Sequence, residues 1–189
     1  VYAFTMPLLT KADGTKFGKS EGGAIWLDRK KTTPYEMYQF LINAEDEKVI
    51  DYLKFLTFLS KEEIEKIENE HLKYPEKRLA HKTLAREVIS FIHGEEAYLE
   101  AVKITESLFQ GNISSLSAFE IEEAFKGLVR QEMKEEMNIV DFLVVNNICS
   151  SKREAREFLD NGSIYLNGER IKDKDLQITR KEALYEKYL

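Results

Sequence analysis

The sequence crowds three lysines and four glycines into residues 10–23, which read TKADGTKFGKSEGG. Lys16 and Lys19 flank a Phe-Gly pair, so their two ammonium groups could reach the oxygens of one phosphate. A Walker-type phosphate loop has four residues between its glycines and runs directly into a helix. Only three residues separate Gly14 from Gly18, and two more glycines follow. The pattern argues against a Walker loop. It leaves open either a lysine pair that stabilises charge in phosphoryl or nucleotidyl transfer, or a basic surface loop.

A second group of cations lies in the segment SSKREAREF, where Lys152, Arg153 and Arg156 fall in the first turns of a predicted helix. Cations at a helix N-terminus oppose the helix dipole. Their presence there favours an anionic partner, on which the free N–H groups and the cations converge. The alternative is a solvated helix face with ion pairs such as Arg153–Glu157. Spacing alone leaves both open.

A third group is the basic cluster of the otherwise acidic middle of the chain. It comprises Lys77, Arg78, His81 and Lys82. A contact with a polyanion and a solvated helix face remain equally open for it. The histidines at 71, 81 and 93 show no metal-ligand spacing, and the lone Cys149 does not assist them. We therefore predict no protein-ligated metal.

Charge and composition limit the classes of function. The 189 residues carry a net charge of −6, which argues against a general nucleic-acid coat protein. The net charge is +3 over residues 1–33, −9 over 34–137 and zero over 138–189, so polyanion sites are expected toward the two ends. A single cysteine indicates a reducing, intracellular setting. No apolar run approaches the roughly 20 residues of a membrane span.

The elements that must position these residues are mostly helices. Residues 1–10 and 24–27 resemble short strands around an Asp13-Gly14 turn. Apolar periodicity and capping signals, including capping boxes at Thr33/Glu36 and Ser60/Glu63, then predict six helices. These helices are expected from Thr33, over about 46–59, from Ser60 to about Leu72, from Pro75 to His93, over 95–109 and from Ser117.

A separate small unit is predicted after a charged linker at residues 127–137. It comprises a helix at 139–145, a second helix from a Ser151/Glu154 capping box to Leu159, and a hairpin around Asn167-Gly168. Its size allows only a small core, so it is an accessory module. The fold class predicted for the whole chain is mainly α, with a small α+β module at its end.

The segment KFGKS resembles the KMSKS signature of class I aminoacyl-tRNA synthetases. Its order with PLLTKADGTKFGKSEGGAIWLD, TTPYEMYQFLINAED, YLKFLTFLS, HKTLAREV and HGEEA resembles bacterial tyrosyl-tRNA synthetases through essentially the whole chain. The resemblance implies that five positions bind ATP: Lys16, Phe17, Gly18, Lys19 and Ser20. It implies catalytic roles for the two lysines and the serine, which would stabilise charge while tyrosine attacks the α-phosphate. Mg²⁺ is expected to accompany the ATP.

The segment SKREAREFLDNGSIYLNGERI is similar to the αL-type RNA-binding module that tyrosyl-tRNA synthetases share with a ribosomal small-subunit protein. The likeness implies that Lys152, Arg153 and Arg156 contact RNA phosphate, with Asn167 and Arg170 near the hairpin. Family members usually continue with another basic strand, so part of this RNA surface is expected to be missing. The helical middle resembles the anticodon-recognition domain of the family, which makes its basic cluster the candidate tRNA contact there.

The resemblance implies four regions. They are the signature-loop segment at the end of a Rossmann-type catalytic domain (1–32), the anticodon-binding domain (33–126), the linker (127–137) and the RNA-binding module (138–189). We expect the C-terminal part of a cytoplasmic, homodimeric ligase for tyrosine and tRNA(Tyr). We expect the chain alone to be inactive and without the family-type dimer, because the nucleotide-binding half with its HIGH-type signature would precede it. The alternative is a stand-alone RNA-binding protein without catalysis, which would not need Lys16 and Lys19.

Overall fold

A computed structural model describes residues 2–5, 8–20, 23–128, 135–181, 183–185 and 187. The chain divides into two compact units, Val1–Lys103 and Ile104–Leu189, which are described separately. Most described residues lie in helices, which confirms the mainly α fold class. None of the helices in the described part is both long and apolar enough to cross a membrane.

The first unit begins with the loop segment. The expected strand over residues 1–10 is wrong for the described residues 2–5 and 8–9, which form no strand. Among the described residues of this segment, β pairing is limited to a bridge between Thr10 and Lys16 and to two short antiparallel strands, β1 (Lys19–Ser20) and β2 (Gly23–Ala24). The apolar side chains at the start of the chain therefore do not define a sheet, and Tyr2 and Phe4 are exposed.

The rest of the first unit is a helical body whose helices bury one apolar face each. The helices are α1 (Pro34–Ile42), α2 (Val49–Leu56), α3 (Lys61–Lys73), α4 (Leu79–His93) and α5 (Glu95–Phe109), of which α5 continues into the second unit. The core includes Met37, Leu41, Leu53, Leu84 and Ile89. The predicted capping boxes at Thr33 and Ser60 are both present and begin α1 and α3.

Two predicted helix bounds in this body are wrong. The second helix is shorter than expected and spans Val49–Leu56. The helix expected from Pro75 is interrupted, because Pro75–Lys77 forms a 3-10 turn and Arg78 adopts a left-handed conformation with φ of 52°. A non-glycine residue seldom adopts this conformation, so other contacts must stabilise it. The α-helix proper begins at Leu79.

Among its described residues, the second unit contains, besides the end of α5, three short α-helices and two small sheets. The helices are α6 (Ala118–Ala124), α7 (Ile139–Val145) and α8 (Lys152–Asp160). The strands are β3 (Met137–Asn138), β4 (Ile164–Leu166), β5 (Glu169–Ile171) and β6 (Gln177–Ile178), paired β3 with β6 and β4 with β5, all antiparallel. Ile139, Leu143, Leu159 and Ile178 are central to its core.

The predicted hairpin is confirmed. Asn167 and Gly168 connect β4 to β5 with φ values of 51° and 90°, as a two-residue turn of the I′ type requires. Gly168 also packs against the backbone of Gly111, where an added Cβ would stand 2.1 Å from the carbonyl oxygen. Glycine is therefore required at 168 both for its φ and for this close approach.

Two further predictions for this unit need correction or remain open. Ser151 caps α8 as expected, but the Glu154 carboxylate accepts from Ser150 rather than completing a capping box with Ser151.

The predicted linker ends in a strand, since Met137 belongs to β3. Residues 129–134 of that linker lie outside the described residues. The predicted domain bounds remain predictions.

Candidate functional site

The loop that carries Lys16 and Lys19, called the lysine loop below, begins as a short hairpin over residues 9–17. Backbone hydrogen bonds join the two sides of this hairpin. The Lys11 N–H donates to the Thr15 carbonyl at 2.8 Å, and the Phe17 N–H donates to the Leu9 carbonyl at 3.0 Å. At the turn, the Asp13 carboxylate accepts from both the backbone N–H and the hydroxyl of Thr15. These hydrogen bonds, the side-chain one first, lower the pKa of Asp13, so it remains an anion at the tip of the loop.

Two contacts attach this hairpin to the helical body. The ring of Phe17 packs 4.2 Å from that of Tyr52 on α2 and 5.1 Å from that of Phe40 on α1. The Tyr52 hydroxyl donates to the Thr10 carbonyl at 3.1 Å. Burial, reinforced by nearby carboxylates, raises the pKa of Tyr52 to about 12, so this phenol remains a donor at neutral pH. Phe17 thus anchors the loop through its side chain.

A third contact is a second hydrogen bond. The Ala12 N–H donates at 2.7 Å to the carboxylate of Glu45, which lies in the turn between α1 and α2. Together, Phe17, Tyr52 and Glu45 fix the base of the loop on the body. This anchoring was missed at the sequence level because the partners lie more than 30 residues apart in the chain.

Of the five signature residues at positions 16–20, the structure describes the first three fully and the last two only in their backbone. Lys16 is exposed, and the backbones of Lys19 and Ser20 pair with Ala24 and Gly23, whereas the side chains of Lys19 and Ser20 lie outside what the structure describes. Gly18 has φ of 82° in open space, so its conformation rather than crowding requires glycine. The ATP-binding and catalytic roles of positions 16–20 remain predictions.

Phe17 also lines an apolar groove of about 420 Å³ in the first unit, together with Leu27, Phe40, Phe55, Phe58 and Phe91. The rings of Phe58 and Phe91 lie 5.3 Å apart and are mostly exposed. The loop therefore borders a hydrophobic surface of the body on one side.

The basic cluster of the body is largely engaged in internal contacts. Arg78 donates to the Ile42 carbonyl at 2.5 Å and lies 3.7 Å from the Asp46 carboxylate. Lys77 lies 3.4 Å from the Glu70 carboxylate. Lys82 is exposed. The Arg78 side chain therefore donates a hydrogen bond to the last residue of α1 from a residue with a left-handed backbone.

His81 is corrected as a candidate tRNA contact. Its side chain is fully buried, and its Nε2–H donates to the Ala44 carbonyl at 2.9 Å. Burial, with a smaller effect of Arg78, lowers the pKa of His81, so the imidazole is neutral near pH 7. A buried, neutral side chain bound to the backbone does not contact RNA phosphate.

The structure brings two of the three histidines together, although their spacing in the sequence did not indicate it. The rings of His71 on α3 and His81 on α4 have centroids 5.5 Å apart, and ligand atoms of Asp46, His71 and His81 all lie within 4.8 Å of one another. Their positions in sequence give no metal-binding pattern, because three separate elements bring them together.

The cations of α8 are arranged differently. Lys152 pairs with Asp141 of α7 at 2.5 Å. Arg153 and Arg156 are exposed, and neither has an ion pair or hydrogen bond within the described ranges. The Arg153–Glu157 pair of the alternative interpretation is therefore absent there. The opposite face of α8 is buried through Ala155 and Leu159. The helix therefore presents to solvent two guanidinium groups that have no partner among the residues that the structure describes.

Near the hairpin, Arg170 donates to the Tyr165 hydroxyl at 2.7 and 3.1 Å, and its guanidinium lies over the Tyr165 ring. The side chains of Arg170 and Lys172 pass over Gly162, where an added Cβ would stand 3.0 and 3.2 Å from them. Asn167 forms the turn. The RNA contacts predicted for Asn167, Arg170 and the α8 cations remain predictions.

Two protein-family models match the chain. Residues 1–110 match the model described as tRNA synthetases class I (W and Y). Residues 120–189 match the model described as the tyrosine–tRNA ligase SYY-like C-terminal domain.

Individual relatives agree with these matches. The chain is 54% identical over 97% of its length to a tyrosine–tRNA ligase of Geobacillus stearothermophilus, and 50% identical over 99% to tyrosine–tRNA ligase 1 of Bacillus cereus. It spans 44% and 45% of the lengths of these curated relatives.

One solved structure that is similar to part of the chain is that of a C-terminally truncated mitochondrial tyrosyl-tRNA synthetase of Coccidioides posadasii. The matched region covers 52% of this chain and 25% of that chain, at 40% sequence identity and a TM-score of 0.46.

Proposed function

The chain belongs to the class I tRNA synthetases of the tryptophan and tyrosine group, and we propose that it is the C-terminal part of a tyrosine–tRNA ligase. Such an enzyme activates tyrosine with ATP and transfers it to tRNA(Tyr). One observation carries the proposal. A relative named tyrosine–tRNA ligase aligns with 97% of the chain at 54% identity, a span that includes the lysine loop.

In this enzyme, the loop supplies Lys16 and Lys19 to the phosphates of ATP, with Ser20 beside them and Phe17-Gly18 between them. The two ammonium groups act by stabilising the charge that develops at the α-phosphate, not as bases. The anchors on Phe17, Tyr52 and Glu45 support this role. They fix the base of the hairpin and leave Lys16 exposed toward solvent.

The ATP enters with Mg²⁺, which would neutralise phosphate charge, and this step needs no protein-ligated metal. We assign residues 1–32 to the end of the Rossmann-type catalytic domain and 33–126 to the anticodon-binding domain. The linker (127–137) and an αL-type RNA-binding module (138–189) follow. The expected partner is tRNA(Tyr), the full-length enzyme is a homodimer, and its compartment is the cytoplasm.

The unpaired Arg153 and Arg156 are the best-supported RNA contacts of the module, because no internal carboxylate among the described residues competes for them. Contacts of this kind position the RNA on its phosphates and read no bases. Lys77 and Lys82 remain candidates in the anticodon-binding domain.

The test is amino-acid-dependent charging by the longer protein that carries this chain. Since the matched family includes tryptophan enzymes, tyrosine and tryptophan are compared on purified tRNA(Tyr) and tRNA(Trp). The proposal expects charging of tRNA(Tyr) with tyrosine only. Charging of tRNA(Trp) with tryptophan, or no charging with either amino acid, would contradict it.

A further inference from the structure

Three side chains from three elements of the helical body converge on one point. Asp46 lies in the turn between α1 and α2, His71 in the last turn of α3, and His81 in the first turns of α4. One ligand atom from each lies within 4.8 Å of the other two. We propose that Asp46, His71 and His81 form a binding site for a divalent transition-metal ion of the zinc type.

The spacing of the polar atoms supports this proposal. The Nε2 of His81 lies 3.2 Å from the Oδ1 of Asp46. Two ligand atoms at about 2.0–2.1 Å from a tetrahedral zinc ion stand roughly 3.3 Å apart. The His81–Asp46 pair already has this separation. The ligand atom of His71 lies within 4.8 Å of both, so His71 can complete the set by moving toward the ion.

Buried, unpartnered nitrogen atoms are the second and independent observation. Among the described residues, the Nδ1 of His71 is buried without a hydrogen-bond partner, in a side chain that is 6% exposed. The Nδ1 of the fully buried His81 is also unpartnered there, but it is not the His81 atom that lies beside Asp46, which is Nε2. A buried polar atom left unpaired costs roughly 1–3 kcal/mol, so its presence calls for an explanation. An ion bound at the His71 Nδ1 would give this buried atom a partner, whereas binding at the Nε2 of His81 leaves the Nδ1 of that ring unpaired.

The donor set also selects the class of ion. Two imidazoles and one carboxylate suit zinc, copper or nickel better than Mg²⁺ or Ca²⁺, which prefer oxygen ligands. Three protein ligands leave a fourth position open. The Asp46 side chain is 59% exposed, so water can supply that ligand from the solvent side.

Two features limit the affinity. Binding at Nε2 requires the proton of His81 to move to Nδ1 or to leave, and the Ala44 carbonyl then loses its donor. The Arg78 guanidinium lies 3.7 Å from the Asp46 carboxylate, and its positive charge opposes a cation there. We therefore expect a dissociation constant in the micromolar range, which is weak for a structural zinc site.

A bound ion would affect the lysine loop through the adjacent residue. Glu45 accepts the Ala12 N–H of the loop, and Asp46 follows it directly in the chain. An ion that fixes Asp46 to α3 and α4 therefore also fixes the turn that carries a loop anchor. The metal site itself does not depend on the proposed enzymatic function.

The experiment is a Zn²⁺ titration of the untagged, chelator-treated chain, followed by calorimetry and by the thermal midpoint, with Co²⁺ absorption as a spectroscopic probe. The variants are Asp46→Asn, which changes an exposed side chain, and His71→Gln. The matched control is His93→Gln, which alters a histidine outside the cluster.

We expect one Zn²⁺ per wild-type chain, a thermal midpoint that rises with Zn²⁺, and a Co²⁺ spectrum typical of four-coordinate geometry. Affinity should fall tenfold or more in D46N and H71Q and remain unchanged in H93Q, because losing a ligand weakens a site at least as much as losing a ligand's hydrogen-bond partner, about 10–100-fold. Absence of micromolar binding, or equal binding by wild-type and D46N chains, would overturn the proposal. D46N retains every buried side chain, so a folding defect in H71Q does not obscure the result.

Discussion

Two basic clusters look alike in the sequence and differ in the structure. In the helical body, Arg78 and His81 are used internally, one on the Ile42 carbonyl and the other on the Ala44 carbonyl. On α8, Arg153 and Arg156 are exposed and have no partner in the described part of the chain. The difference teaches that a cation is available to RNA only when the fold leaves it unpaired. The body cluster is expected to contribute to stability, and the α8 cluster to binding.

The largest effect is expected from His81→Ala. The change removes a fully buried side chain and leaves the Ala44 carbonyl without its donor, so the free energy of unfolding should fall by about 2–4 kcal/mol. Urea denaturation with a chelator present measures this, so that no bound ion contributes. The control Lys82→Ala, an exposed neighbour, should change stability by less than about 0.5 kcal/mol.

The affinity of folded H81A for tRNA(Tyr) should equal that of the wild type. A loss of affinity without a loss of stability would place His81 at the RNA surface and would remove the contrast between the clusters.

The second-largest effect is expected from the loss of the two exposed arginines of α8. The double change Arg153→Ala with Arg156→Ala should weaken tRNA(Tyr) binding about 100-fold, from roughly 1.5 kcal/mol for each hydrogen bond to a charged group. The slope of log affinity against log salt should become shallower by about 1.4–1.8 for two lost phosphate contacts. Filter binding between 50 and 200 mM salt measures both quantities.

The matched control for this pair is Lys61→Ala with Lys66→Ala, which removes two cations from α3. It should leave the slope unchanged, and the α8 variant should retain the stability of the wild type because both arginines are exposed. Equal slopes for the wild type and the α8 variant would refute the assignment.

The smallest effect is expected from Lys152→Ala. Lys152 must leave the Asp141 carboxylate, 2.5 Å away, before it contacts RNA, and this exchange offsets much of its gain. Affinity for tRNA(Tyr) should fall only about threefold, within the roughly 1 kcal/mol typical of an exposed ion pair. A loss as large as that of the arginine pair would show that internal pairing does not decide which cations act.

Local chemistry made much of the fold predictable. The capping boxes at Thr33 and Ser60 and the turn at Asn167-Gly168 are encoded within a few residues, and all three are present. The left-handed Arg78 and the burial of His81 were not predictable, because both depend on contacts with residues 36 and 37 positions away.

The candidate site likewise has features that the local sequence predicts and features that depend on contacts between distant residues. Residue types and spacing identified the lysine loop and the cations of α8. The anchoring of the loop by Phe17 on Tyr52, and the meeting of His71 with His81, arise only when separate helices pack. No local pattern carries that information.

The central claim is that Lys16 and Lys19 stabilise the transition state of tyrosine activation. The direct measurement is the single-turnover rate of tyrosyl-adenylate formation by the longer protein that carries this chain, with Lys16→Ala, Lys19→Ala and the double variant. Loss of an electrostatic contact of this kind typically slows the step by about 10²–10³, and tRNA(Tyr) affinity should not change. An unchanged rate in the double variant would contradict the claim.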